Sequence, residues 1–289
     1  DKYWELWNVS DEILRDVRQV INPNRSKKQT KREEGYKINS IRKYQDALLK
    51  TLRNAQEFGF TPAFDINIKG LKLPSVGASK DIYISCDDIE ILLKSDVSYD
   101  PTLHIVKNFI LVSCLTGMRY QSMIDTTNQK VRTYKDQQLD FKYIISKQQK
   151  TETEVYMPLL EPVVKILEEY EGEFSKFPAN GSVNKKLKQL FEEVGIDSLA
   201  TETIATYSQG IVTKEKPKYE LVSAHDGRRS FITNLELLNA NREIVDQMTH
   251  PDKTPKNPMR KIYDKRDLMS KAKRFVEEIQ KLKSDIYRV

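Results

Sequence analysis

The fold of this chain turns on residues 224–231, Ala224-His225-Asp226-Gly227-Arg228-Arg229-Ser230-Phe231. Here His225 and Arg228 stand three residues apart at the start of an expected helix over 226–238. Three residues on a helix return to the same face, so imidazole and guanidinium can share one phosphate. The N-terminus of a helix adds free backbone N–H groups to such a site. His-x-x-Arg is a common pairing by itself, and its meaning depends on what surrounds it.

Outward from this stretch, four further groups stand in order. Arg119 follows Leu115-Thr116-Gly117-Met118, just past an apolar helix, where Gly can turn the chain and present a cation. Lys150 falls between two expected strands, with Lys147 as its rival. His250 follows a short helix in Met248-Thr249-His250-Pro251, a place where histidine often serves only as a cap. Tyr263 lies in Arg260-Lys261-Ile262-Tyr263-Asp264-Lys265, flanked by cations. There is no GxxxxGK[ST] loop, no GxGxxG, no HExxH and no carboxylate cluster at metal-ligand spacing. With His104, His225 and His250 the only histidines, a His-rich metal site is not expected.

The wider pattern is mainly helical with a small sheet. Apolar residues from Tyr3 to Val17 recur at helical spacing, and Ile41, Tyr44, Leu48, Leu52 and Ala55 mark a second helix that Gly59 stops. Residues 61–80 lack periodicity and read as a linker, so a helical domain is expected over 1–75, a linker over 76–81 and a second domain over 82–289. Ser85-Cys86-Asp87-Asp88 has the form of a capping box, and Pro101 suits the first turn of an apolar helix ending at Thr116-Gly117. Leu139, Phe141, Tyr143 and Ile145 alternate, as do Val155 and Met157, which predicts two strands around a polar tip. Helices are expected over 162–170 and 182–194, a hairpin joining 203–207 to 219–222, and helices over 226–238, 241–248 and 267–286.

Composition agrees with two globular domains. The chain has 289 residues, 38% hydrophobic and 31% charged, and no apolar run long enough to cross a bilayer. The Met-less start at Asp1 reads as that of a fragment, and it carries no signal peptide. Cys86 and Cys114 offer neither a disulfide framework nor a CxxC pair, so the cytoplasm is the expected compartment. Net charge is +6, and residues 1–75 hold 15 Lys and Arg against 10 Asp and Glu, which suits a polyanion and equally a solvated basic face.

Taken together and in this order, these groups resemble the tyrosine recombinases, the phage and transposon integrases. That family places an arginine after a Thr-Gly-Leu-Arg-like turn, a lysine on a β-hairpin, His-x-x-Arg opening a helix, a second His or Trp, and then a nucleophilic tyrosine. The corresponding residues are Arg119, Lys150, His225 with Arg228, His250 and Tyr263, spanning 82 to about 284. Two departures stand out. The interval from His250 to Tyr263 is longer than usual and contains Pro251, Pro255 and Pro258, and Tyr120-Gln121-Ser122 replaces a frequently acidic position.

The resemblance implies a helical core-binding domain followed by a catalytic domain, double-stranded DNA as partner, and no metal or ATP. It assigns Tyr263 as the nucleophile of a 3′-phosphotyrosyl intermediate and Arg119 and Arg228 as phosphate ligands. Lys150 becomes the general acid, preferred over Lys147 by its distance from the Val-Tyr-Met-Pro strand, and His225 and His250 become supporting groups. It further implies four protomers on two duplexes, with a monomer in the absence of DNA, and a C-terminal helix packed on a neighbour. The segment 267–286, with its stripe of Leu268, Ala272, Phe275, Val276 and Ile279, suits that helix or one docked on its own domain. Lys27, Lys28, Lys31, Arg32, Arg42 and Lys43 are expected DNA contacts. The alternatives are a type IB topoisomerase and a DNA-binding protein that has lost catalysis.

Overall fold

The computed structural model describes residues 37–60, 79–124, 131–148, 153–170, 180–206, 210–250 and 267–289. The first expected helix lies outside them, as do Lys27, Lys28, Lys31 and Arg32 of the basic stretch that follows it. The chain divides into two compact units, Asp1–Gly77 with Ile204–Val212, and Ala78–Thr203 with Thr213–Val289. Among the described residues no helix is long and apolar enough to cross a membrane.

In the first unit, α1 (Ile38–Glu57) ends at Phe58, and Gly59 takes a left-handed φ of +87°. Its buried face differs from the expected stripe. Tyr44 and Leu48 are 57% and 47% exposed, while Gln45 and Leu49 are buried. Ile41, Leu52 and Ala55 of the expected stripe stay half-buried, so the buried side overlaps that stripe but is shifted towards Gln45 and Leu49. Lys37, just ahead of α1, forms an isolated antiparallel bridge with Thr206.

The other elements follow in order: β1 (Ser79–Asp81), α2 (Cys86–Lys94), α3 (Pro101–Thr116), α4 (Tyr120–Ile124), β2 (Arg132–Lys135), β3 (Asp140–Gln148) and β4 (Thr153–Pro158). After them come α5 (Glu161–Glu169), α6 (Asn180–Glu193), β5 (Leu199–Thr206), β6 (Gly210–Pro217), α7 (Lys218–Leu221), α8 (Asp226–Leu237), α9 (Arg242–Thr249) and α10 (Leu268–Lys281). The architecture is mainly helical with two three-stranded sheets, ordered β1-β5-β6 and β2-β3-β4.

Local chemistry sets most of these boundaries. The capping box at α2 forms as expected: Ser85 Oγ accepts from Asp88 N at 3.2 Å and Asp88 Oδ2 from Ser85 N at 2.9 Å. Pro101 opens α3 behind an Asp100 cap, and Gly117 closes it at φ +63°. Ile110, Val112 and most other residues of α3 are buried, so this helix runs through the core. Helix α8 crosses it closely enough that a Cβ at Gly227 would stand 2.4 Å from Ser113 Oγ. The hairpin around the polar tip is present, β3 pairing with β4 from Tyr143↔Pro158 to Gln148↔Thr153.

Two expectations are corrected. The partner of β5 is 210–217, and the segment expected as its strand is instead the helical turn α7, followed by buried Val222. Strand β6 is exposed along most of its length and so carries no apolar alternation, and Pro217 ends it. The C-terminal helix stops at Lys281 rather than 286, because Ser284 Oγ accepts from Ile286 N and Tyr287 N at 3.3 and 3.2 Å and turns the chain. The stripe of α10 is buried in its own unit, Phe275 and Ile279 in the main core, Ala272 and Val276 against Leu139 and Phe141.

Candidate active site

Arg119 reaches the site from the turn that ends α3. Gly117 takes a left-handed backbone there (φ +63°), which glycine adopts freely, and a Cβ would in addition meet Phe231 Cδ1 at 2.5 Å. Met118 N then donates to Thr116 Oγ1 at 3.3 Å, which holds the turn just before Arg119.

The neighbouring arginines of α8 have different fates. Arg229 pairs with Asp226 Oδ1 at 3.3 Å and donates to the Ile82 carbonyl at 3.2 Å. The same Asp226 carboxylate accepts from Ser223 N at 2.8 Å and Ser223 Oγ at 2.7 Å, so it is fully engaged. Arg228 is 6% exposed, donates from Nη1 to the Gly117 carbonyl at 2.7 Å and from Nη2 to the Thr249 carbonyl, and pairs with no carboxylate among the described residues. Its two bonds tie the end of α3 and the end of α9 to one guanidinium.

The two cations meet at a cleft of about 170 Å³ lined by Met118, Arg119, Tyr120, Asn184, Ser223, Ala224, His225 and Arg228. Burial, and secondarily the charge of Arg119, push the Arg228 guanidinium down to about 10, so it is charged at neutral pH at an electrostatic disadvantage. An anion placed between the two would remove that disadvantage, and a tetrahedral oxyanion suits their planar donors. His225 is exposed at the N-cap of α8 with no side-chain capping bond. Asn184 Oδ1 accepts from Ala224 N at 2.8 Å and so fixes the entry to α8. Among the described residues no group of three or more His, Cys, Asp or Glu is placed to hold a metal.

The structure thus brings together Arg119, His225 and Arg228. His250 caps α9 one residue beyond the Thr249 carbonyl that holds Arg228, with its Nδ1 3.1 Å from Thr249 Oγ1 and 3.7 Å from Asp246 Oδ1. It is not among the residues lining the cleft. Lys150 and Tyr263 lie outside the described residues. Arg42 and Lys43 are on α1, where the Arg42 Nε is buried without a hydrogen-bond partner and Lys43 is exposed.

Asn184, Ser223 and Tyr120 line the cleft without having been expected there. No spacing rule connects Asn184 to His225 across 41 positions, because the tertiary fold alone makes them neighbours. Tyr120 was adjacent to Arg119 in plain view, and its ring is held edge-on against Phe109 at 5.5 Å. The C-terminal Tyr287 is fully buried, and burial pushes its phenol well above its ordinary value, with Cys114 adding to the shift and Asn234 opposing it.

The chain is similar to solved site-specific recombinases and integrases. The XerH site-specific recombinase bound to its palindromic difH substrate is 13% identical, over 84% of this chain and 64% of that one, at a TM-score of 0.48. A lambda integrase dimer bound to a COC' core site is 12% identical, over 80% and 63%, at 0.49. The Tn1549 transposon integrase in complex with a circular intermediate DNA is 12% identical, over 85% and 81%, at 0.49. This chain therefore spans less than two thirds of the XerH and lambda integrase chains. No family model and no curated protein matches it.

Proposed function

We propose that this protein is a site-specific DNA recombinase or integrase that cleaves and rejoins DNA through a covalent phosphotyrosyl intermediate. The observation that carries this reading is the Arg228 guanidinium, buried without a carboxylate partner among the described residues and set beside Arg119 at an open cleft. Two converging cations at an open cleft suit an anion of matching shape, and a scissile phosphodiester is one.

Attack on that phosphate raises the negative charge on its non-bridging oxygens, and Arg119 and Arg228 stabilise the growing charge by hydrogen bonds that strengthen as it develops. Tyr263 attacks the phosphorus in line. A P–O bond forms to its phenolic oxygen, the bond to the 5′-oxygen breaks, and the DNA 3′-phosphate stays attached to the protein. The phenolic proton passes to His225, and the departing 5′-oxygen takes a proton from Lys150. His250 supports the phosphate from the end of α9. A 5′-hydroxyl of a partner strand then attacks the phosphotyrosine and releases Tyr263. Because the ester conserves the bond, the exchange needs no ATP.

Double-stranded DNA is the proposed partner, gripped largely through phosphates, with Lys27, Lys28, Lys31, Arg32, Arg42 and Lys43 contributing. Four protomers on two sites are proposed for the active complex, the free protein is monomeric, and the setting is the integration or excision of a mobile element in a cytoplasm.

A nicked suicide duplex tests the chemistry. The protein is expected to become covalently attached to DNA, and Tyr263→Phe to abolish the adduct. An adduct that persists in Tyr263→Phe and disappears in Tyr120→Phe would move the nucleophile to the tyrosine that lines the cleft. Absence of any adduct from the unsubstituted protein leaves a DNA-binding protein. Relaxation of supercoils without recombinant junctions makes the enzyme a type IB topoisomerase.

A further inference from the structure

Residues 282–289 leave α10 and turn back into the second unit. Ile286 and Tyr287 are 4% and 0% exposed. The Arg288 carbonyl accepts from Glu161 N at 2.9 Å, and its guanidinium pairs with the Glu161 carboxylate. The Tyr287 hydroxyl donates to the Cys114 carbonyl at 3.2 Å and accepts from Asn234 Nδ2 at 3.1 Å. Asn234 Nδ2 also donates to the Ile84 carbonyl at 2.9 Å.

Cys114 stands in the last turn of α3, where four carbonyls have no intrahelical partner. Gly117 N takes the Ser113 carbonyl at 3.0 Å, and the Cys114 carbonyl is left to the phenol of Tyr287. Arg119 emerges three residues beyond that turn. The Phe231 ring lies between, its centroid 6.2 Å from that of Tyr287 and its Cδ1 where a Cβ on Gly117 would collide. Gly117 in turn accepts the hydrogen bond from Arg228.

We propose that Tyr287 is a positioning residue for the arginine pair, capping the C-terminus of α3 and, through Phe231, holding the Gly117 turn that presents Arg119 and anchors Arg228. This rests on the proposed role of the two arginines as phosphate ligands. The ring alone fills the socket. The hydroxyl is what ties the final residues of the chain to the helix end that precedes Arg119. A substitution that keeps the ring and removes the hydroxyl leaves the Cys114 carbonyl unpaired inside the core and loosens the turn while preserving the packing.

The test uses the full chain with inorganic phosphate as probe, followed through the Gly117 and Arg228 amide resonances, beside adduct formation on the nicked duplex and affinity for an uncleaved duplex. Tyr287→Phe is expected to weaken phosphate binding and slow adduct formation, each about tenfold, with duplex affinity unchanged. Val276→Ala removes buried carbon from the other cluster, against Leu139 and Phe141, and is expected to lower stability without changing either readout. Phosphate binding within twofold of the unsubstituted protein in Tyr287→Phe overturns the proposal, as does an equal loss in Val276→Ala. Failure of phosphate to move either resonance in the unsubstituted protein overturns it together with the phosphate role of the arginines. If phosphate binds and responds to Tyr287→Phe while no adduct ever forms, the positioning role stands and the DNA-cleavage reading falls.

Discussion

Arg228 gives up solvation for two backbone carbonyls, and carbonyls satisfy donors without neutralising charge. Among the described residues Arg228 meets no carboxylate, so a bound anion would offset the cost of its desolvation. Phosphate or sulfate is expected to raise the melting temperature by a few degrees, following the linkage of binding to stability, and Arg228→Ala to abolish the increase in a thermal scan with and without the anion. Arg119→Ala and Arg228→Ala are each expected to leave duplex affinity nearly intact while slowing adduct formation by about 10²–10³, since the clamp acts most strongly on the charge of the transition state. Equal losses of binding and cleavage would assign the arginines to general DNA contact instead. At Gly117 the backbone and the Phe231 ring both exclude a side chain. Gly117→Ala is expected to cost about 2–4 kcal/mol in urea unfolding, combining the left-handed backbone with an overpacked contact.

At the scale of elements, the packing of α10 on the β2-β3-β4 sheet is reinforced by one carboxylate. Asp136 accepts from the Tyr134 hydroxyl at 2.6 Å, from Lys273 Nζ at 2.9 Å and from the backbone of Gln138 and Leu139 at 2.8 Å each. The Tyr134 hydroxyl first, then Lys273, hold this carboxyl well below its ordinary value of 3.8, and the Tyr134 hydroxyl and Asp136 hold Lys273 above its ordinary 10.5. A depressed acid stabilises the fold above its unfolded value and loses that effect as pH falls below it. A raised base does so below its unfolded value and loses it as pH rises beyond. The melting-temperature difference between the unsubstituted protein and Asp136→Asn is thus expected to be flat from about pH 5 to 9 and to shrink below the ordinary carboxylate value. A difference that stays constant down to pH 2 would show that the carboxylate charge contributes nothing there.

For the whole molecule, the fate of α10 matters most. Its apolar stripe, which suited a neighbouring protomer as well as its own domain, is used within the second unit, so the proposed assembly on DNA would draw on other surfaces. Sedimentation of the free chain is expected to give a monomer, and sedimentation with two target duplexes a complex of four. A stable tetramer without DNA would contradict this.

Sequence alone determined what short-range chemistry dictates. The Ser85–Asp88 box, Pro101, the Gly117 turn and the α9 and α10 starts near Asn241 and Asp267 were legible, because capping and left-handed glycine act over three or four residues. Arg119, His225 and Arg228 stood at helix ends that the local pattern marks, but only the family resemblance grouped them into one site. Tertiary structure alone decided which of Arg228 and Arg229 is neutralised, that Asn184 and Tyr120 border the cleft, which side of α1 is buried, and that Tyr287 caps a helix 173 positions away. Those outcomes depend on which distant groups compete for each donor and each apolar face. That competition is settled only when the chain has closed on itself and desolvation makes every unpaired group costly.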